Sequence, residues 1–236
     1  MKNKLKPIQY AIDLWSIKLH GDVEKKRALL SPDELERADK LLKPLDTERF
    51  ILGRGFMRTV LADYLDQDPA TLQFDRNENG KPFLKSSGLE FNASHSRDHM
   101  LLAVTAGRAV GVDIEFHREN VKRDAIAKRW FSEEERAFLQ PLENQEAVFF
   151  EIWSKKEAYV KAQGLGIYFD LPSFTVPLGE EPGVPILGTN GDYFLQTLEI
   201  SPDCSAAIVS AAPIVPIRQR DAGSITIKVG RPCTSK

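Results

Sequence analysis

Cysteine is scarce in this chain. Two occur among 236 residues, Cys204 and Cys233, too few for a disulfide scaffold and without the C-x-x-C spacing of a metal or redox pair. Long apolar runs are missing as well. None reaches the roughly 18 residues of a membrane-spanning helix, and the opening MKNKLKPIQYAIDLW is basic but lacks the apolar core of a secretory leader. The chain therefore reads as cytosolic, with no membrane partner. Nor is there an excess of one charge: 32 Lys and Arg against 34 Asp and Glu give a net charge of −2. That argues against a general nucleic-acid binder and leaves room for a local basic pocket around one phosphorylated ligand. The four histidines show no H-E-x-x-H or other zinc spacing, which argues against zinc. Low-complexity segments are absent.

What is present suits one large domain, or two small ones sharing a core. Residues 8–20, IQYAIDLWSIKLH, are β-branched and aromatic and read as a strand. In SPDELERADKLL, Ser31, Pro32 and Glu34 form a capping-box signature for a helix. A longer helix is expected over about 46–65, with Phe50, Met57, Val60, Leu61 and Tyr64 at helical spacing and Arg49, Arg54 and Arg58 between them. Asn79-Gly80 marks a turn. HMLLAVTAGRAVGVDIE reads as two strands joined by a turn at Ala106-Gly107. The second half opens near residue 116 with a helix over about 121–129. A second capping box, Ser132 with Glu135, follows, and then a long helix over 146–163 stopped by Gly164 and Gly166. Residues 167–212 look like short strands, and the tail from about 213 like an edge strand or a loosely packed end.

Three constellations could carry chemistry, and each has a bland reading. In GVDIE, Val112 and Ile114 point one way from a strand, Asp113 and Glu115 the other. Two carboxylates about 7 Å apart on one face could converge on a hard cation or simply face water. In WSKKEAYVKAQG, Trp153, Glu157 and Lys161 share one helix face. The pair is either a surface ion pair worth roughly 0.3–0.5 kcal/mol or an enclosed carboxylate with a partner elsewhere. FNASHS, read as a loop with two hydroxyls around His95, could bind an anion together with Gly80-Lys81-Pro82, or could be an ordinary turn.

The order GKP, FNxSHS, GVDIE, FSxxE, WSxKEAxxKxxG resembles the phosphopantetheinyl transferases. The resemblance covers roughly residues 31–175 and is to the monomeric type that activates peptide and polyketide synthetases. It implies an α+β fold of two similar subdomains related by a pseudo-twofold axis, 1–115 and 116–236, with coenzyme A bound between them. It implies transfer of 4'-phosphopantetheine from coenzyme A to a serine of an apo acyl, peptidyl or polyketide carrier protein, with release of adenosine 3',5'-bisphosphate, by a monomer. Asp113, Glu115 and Glu157 match Mg²⁺ ligands and Lys161 a pyrophosphate contact. Ser94 and His95, with Arg37 and Arg49, match the surroundings of the 3'-phosphate, and Lys81 and Pro82 those of the adenine. Asp113, Glu157 and Lys161 are the implied catalytic residues, and Glu157 the route for the serine proton, directly or through water. Glu135 matches a second acid sometimes linked to catalysis, although its capping-box position offers a structural role. Glu34 stands where some members carry a lysine. An Mg²⁺ hydrolase of diesters or pyrophosphates and a nucleotide-binding module without activity are the competing readings.

Overall fold

The computed structural model describes residues 11–85, 87–166, 169–179, 184–186, 193–211, 216–221 and 228–229, and the statements that follow are made of these. Residues 8–10 of the expected first strand, Cys233 and most of the tail beyond residue 221 lie outside them.

Strand β1 (Ile12–Lys18) is followed by α1 (Val23–Arg27), α2 (Pro32–Asp39) and α3 (Pro44–Leu65). A short hairpin, β2 (Phe74–Arg76) and β3 (Pro82–Leu84), precedes β4 (Leu89–Ser96), β5 (His99–Ala106) and β6 (Val110–Phe116). Helices α4 (Arg123–Trp130), α5 (Glu133–Leu139) and α6 (Gln145–Gln163) come next. They lead to β7 (Val184–Pro185), β8 (Phe194–Glu199), β9 (Cys204–Ser210), β10 (Ile217–Asp221) and β11 (Lys228–Val229). The first sheet runs β10-β1-β5-β4 and the second β11-β8-β9-β6, with β7 beside β8. All pairings are antiparallel except β1 with β10, which is parallel.

The strand alternation explains the layering. Ile12, Leu14, Leu101 and Ala103 point from the first sheet into a core shared with Val112, Ile114, Phe116, Ala206 and Ile208 of the second. The opposite face of the first sheet, with Met100, Leu102 and Val104, meets Phe56, Met57, Val60 and Leu61 of α3. The opposite face of the second, with Leu195, Ala207 and Val209, meets Phe149, Phe150, Ile152 and Tyr159 of α6. The order is helix, sheet, sheet, helix, a mixed α+β architecture. Each fully buried Leu, Val or Phe in these layers contributes about 1.5–3 kcal/mol.

Both capping boxes are formed, and both do more than cap. Glu34 accepts from the Ser31 amide and from the buried Arg58 guanidinium of α3 at 2.6 Å. Arg58 also donates to the carbonyls of Pro69 and Leu72 and lies over the Phe74 ring. In the second half Glu135 accepts from the Ser132 amide and from the ammonium of Lys156 of α6 at 2.8 Å. Lys156 also donates to the Phe174 carbonyl and lies over the Phe174 ring. A cap carboxylate, a buried cation from the long helix and a phenylalanine ring therefore recur in each half. No sequence repeat marks this, because Arg in one half does the work of Lys in the other.

Two local expectations change. FNASHS is not a loop but the end of β4: Asn92, Ser94 and Ser96 alternate inward, and their polarity is satisfied by β6 rather than by solvent. The turn after Ala106 exists, but β5 and β6 do not pair, since β6 crosses to the second sheet. The tail strand β10 is the edge strand of the first sheet beside β1. It is pinned where Arg218 donates to both oxygens of the buried Asp13, which also accepts from Tyr64.

Candidate active site

At one margin of the sandwich, β4, the last strand of the first sheet, lies beside β6, the last strand of the second. The join runs through side chains instead of a backbone ladder. Asn92 Oδ1 accepts from the Val112 amide (2.8 Å), and Ser96 Oγ accepts from the Phe116 amide (3.1 Å). Between them Ser94 Oγ donates to Asp113 Oδ1 (2.7 Å). As the GVDIE alternation requires, Val112 and Ile114 enter the shared core while Asp113 and Glu115 turn the other way, toward α6.

Helix α6 lies directly over that face because β6 has a glycine there. A Cβ on Gly111 would sit 2.0 Å from the Ala158 carbonyl and 2.3 Å from the Ala162 amide, so helix and strand touch backbone to backbone. This proximity brings Lys161 to the strand. Its Nζ is 2.5 Å from Asp113 Oδ1, 3.2 Å from Ser94 Oγ and 4.0 Å from Glu157. Glu115 accepts from Arg118 (3.1 Å) and, at 3.4 Å, from Ser96. Burial opposes the charge on Lys161, but Asp113, Glu157 and Glu115 outweigh it and raise its pKa. Burial lifts the Glu157 carboxyl above its ordinary range, Lys161 pulls it back and Asp113 adds to the rise. Glu115 is likewise raised, by burial and then by Asp113, against Arg118 and Lys161.

Among the described residues, no three His, Cys, Asp or Glu side chains are gathered as in a formed metal site; the Lys161 ammonium lies among the carboxylates. The donor chemistry nevertheless suits a hard cation. Asp113 Oδ2 is buried with no hydrogen-bond partner, and the carboxyls of Glu157 and Glu115 beside it are raised by burial and by the Asp113 charge, as for oxygen ligands crowded at a cation site.

Two adjoining cavities open at this cluster. One, about 230 Å³, is lined by Arg37, Arg49, Arg54, Phe50, Ser94 and His95. The guanidinium groups of Arg37 and Arg54 lie over the Phe50 ring, and Arg49 Nε is buried without a partner. Partial desolvation of the ring, then the charges of Lys161 and Arg49, hold the otherwise exposed His95 below the ordinary histidine pKa. The other cavity, about 270 Å³, is lined by Lys81, Pro82, Glu157, Val160, Lys161 and Leu171 among others. Pro82, Asn92 and Ala93 border both. The structure thus brings Asp113, Glu157, Lys161 and Ser94 together and sets Glu115 at their edge. It gathers Arg37, Arg49 and His95 around one cavity. Ser94 faces Asp113 and Lys161 as well as the arginine-lined space.

Three findings were not read from the sequence. The ammonium of Lys81 is committed to backbone, donating to the carbonyls of Val110 and Ala162 at 3.1 Å each, so only its stem and Pro82 form cavity wall. Arg54 joins the arginine cluster; its place between apolar residues of α3 was visible, but its direction was not. For Glu135, whose capping box already offered a structural role, the new finding is the partner: it lies at 0% exposure against Lys156 at 0%, enclosed in the helix anchor.

Comparison with known proteins agrees with this architecture. Residues 109–209 match the model of the 4'-phosphopantetheinyl transferase superfamily, and residues 15–107 match that of the 4'-phosphopantetheinyl transferase N-terminal region. The 4'-phosphopantetheinyl transferase HetI of Nostoc is 39% identical over 165 residues, spanning 66% of this chain and 70% of that protein. A 4'-phosphopantetheinyl transferase of Bacillus subtilis is 30% identical over 82% of this chain and 87% of its own length. The Bacillus pumilus transferase psf-1 is 32% identical over 81% and 83% respectively. The chain belongs to the 4'-phosphopantetheinyl transferase superfamily.

Proposed function

We propose that the cleft between β4, β6 and α6 is where this protein carries out its reaction, the transfer of the 4'-phosphopantetheine group from coenzyme A to a carrier-protein serine. One observation carries the assignment: Lys161 bridges Asp113 and Glu157 in the wall of a cavity that shares Pro82, Asn92 and Ala93 with the arginine-lined one, while Asp113 keeps one buried oxygen without a partner. That is a mixed-charge cluster with spare coordinating capacity, next to a pocket suited to a phosphate.

In this reading Arg37, Arg49 and His95 hold the 3'-phosphate. Pro82 and the stem of Lys81 form wall for the adenosine. Lys161 and Ser94 face the pyrophosphate. Asp113, Glu115 and Glu157 would hold Mg²⁺, which supplies charge neutralisation on the pyrophosphate oxygens when bound. The attacking serine hydroxyl is weak and must lose its proton as it approaches the β-phosphorus. Glu157, its carboxyl raised by burial, is suited to receive that proton through a water, as general base. The Lys161 ammonium stabilises negative charge on the departing bisphosphate. Most of the rate then comes from positioning and electrostatics, as in phosphoryl transfer generally. Two subdomains meeting at this cleft, divided in the turn between β5 and β6, provide both sides of the site from one chain, so a monomer suffices. Among the described residues no helix is long and apolar enough to cross a membrane, in keeping with a cytosolic role on carrier proteins.

The test is to incubate the protein with coenzyme A, Mg²⁺ and a panel of apo acyl, polyketide and peptidyl carriers, and to weigh each carrier. A mass gain of one phosphopantetheine on a serine, lost in Lys161→Ala, is expected. Adenosine bisphosphate released at the same rate without any carrier would point to hydrolysis and overturn the reading.

A further inference from the structure

The turn between β2 and β3 belongs to the first half, yet its side chains end on α6. Asn77 Nδ2 and Asn79 Nδ2 both donate to the Gly164 carbonyl, at 2.8 and 3.0 Å. Lys81 Nζ donates to the Ala162 carbonyl and, across the helix–strand contact, to the Val110 carbonyl. Asn77 Oδ1 accepts from the amides of Asn79 and Lys81, so the three donors are held as one unit.

The last carbonyls of a helix have no partners within it, and its C-terminus carries partial negative charge. A cation and two amides from elsewhere in the chain satisfy that end here. Gly164 is in the left-handed region at φ 70° and ends the helix; a Cβ there would come within 2.7 Å of Asn77 Nδ2. Val110 adjoins Gly111, and Ala162 is one of the two α6 residues that Gly111 meets. Lys81 therefore ties strand β6, which carries Asp113, to helix α6, which carries Glu157 and Lys161, at the place where the two backbones touch.

We infer that Lys81, with Asn77 and Asn79, is a positioning residue for the transfer, fixing the separation of Lys161 and Glu157 from Asp113 by clamping the C-terminus of α6 to β6. This rests on the site proposed above. It adds that the Lys81 ammonium acts on the rate through the helix and not through contact with coenzyme A. Small displacements of catalytic groups are costly, so losing the clamp lowers turnover more than binding.

The experiment compares Lys81→Met, which keeps the apolar stem, with Lys81→Arg, which keeps donors, and with Asn77→Ala. Steady-state kinetics on a carrier are measured alongside equilibrium affinity for coenzyme A, at a temperature where each variant is fully folded by circular dichroism. Lys81→Met is expected to lower kcat about 10- to 30-fold with coenzyme A affinity within about threefold of the parent, Lys81→Arg to recover most of kcat, and Asn77→Ala to lose a few-fold. Unchanged kcat with weakened coenzyme A affinity in Lys81→Met would make the ammonium a ligand contact and overturn the inference. Unchanged kcat with only a lowered melting temperature would make it a stability element and overturn it equally. Lys161→Ala run in parallel separates the two proposals: parent-like turnover there removes the site assignment itself, whereas loss in Lys161→Ala with parent-like Lys81→Met removes the clamp alone.

Discussion

Ser94 and Asp113 share a 2.7 Å hydrogen bond that spans two different sheets. It is the middle rung of three, between Asn92 with Val112 and Ser96 with Phe116, and the only one of the three to which β6 contributes a side-chain acceptor instead of a backbone amide donor. The outer rungs bond to backbone and set the register of one sheet margin on the other. The middle rung orients a carboxylate.

Removing that carboxylate should be far worse than removing its hydroxyl partner. Asp113→Ala takes away the main partner of Lys161 and is expected to cost about 10²- to 10³-fold in kcat, the scale for losing one electrostatic participant in a site of this kind. Ser94→Ala leaves Asp113 paired with Lys161 and should cost roughly tenfold. Carrier-modification kinetics at saturating coenzyme A measure both. Equal losses would mean that the hydroxyl has a role of its own at the reacting centre.

Glu135 and Lys156 should behave as structure. Breaking a fully buried pair by removing one partner costs about 3–5 kcal/mol, so Glu135→Ala is expected to lower unfolding free energy in urea by that amount. Turnover per folded molecule at low temperature should stay near the parent value. The matching arrangement of Glu34 with Arg58 lies away from the acidic cluster, which is the reason for expecting anchorage in both halves. A large loss of turnover in fully folded Glu135→Ala would reassign the residue to the reaction.

Gly111→Ala should damage both stability and activity. Its methyl would need to displace the Ala158 carbonyl from 2.0 Å, and overpacking of this kind costs about 1–3 kcal/mol or more. Since α6 is what must move, Lys161 moves with it. Thermal unfolding and kcat should fall together, and a variant that melts like the parent would show that the helix is free to slide.

His95 supplies a pH dependence. Its folded pKa lies below the ordinary value of 6.5, through partial desolvation of the ring against the cavity wall and then Lys161 and Arg49. The free protein therefore loses stability as pH falls through the unfolded value toward the folded one, where the unfolded chain binds more protons. A bound 3'-phosphate favours the imidazolium, so binding takes up a proton and affinity for coenzyme A should rise as pH falls from about 8 toward 6. Calorimetric titration in buffers of different ionisation enthalpy measures that proton. In His95→Asn the uptake should vanish; persistence would locate it elsewhere.

What could be read from the sequence was local. Ser31 with Glu34 and Ser132 with Glu135 announced their helices because a capping box closes within four residues. Gly164 announced the end of α6 because only a residue tolerant of the left-handed region fits there. GVDIE and Glu157 with Lys161 could be joined only through the family resemblance, since 44 residues separate Asp113 from Glu157 and no periodicity spans that distance. In the sequence alone the inward polarity of Asn92, Ser94 and Ser96 reads as a loop. A polar residue at every second position looks solvent-facing until a neighbouring strand is there to accept it. The buried cations were hidden for the same reason: Lys155 and Lys156, at 1% and 0% exposure, look like surface decoration until Glu135, Phe174 and Pro177 fold over them.

The parallel pairing of β1 with β10 has a consequence for synthesis. Strand β1 finds one of its two neighbours only after some 200 further residues have been made. Until then the outer edge of the first sheet stands open, with Asp13 bearing an unanswered charge, and open edges invite pairing with other chains. Arg218 therefore closes the fold in time as well as in space: a nascent chain interrupted before it holds the arginine-lined cavity beside a sheet whose β1 edge is still adhesive.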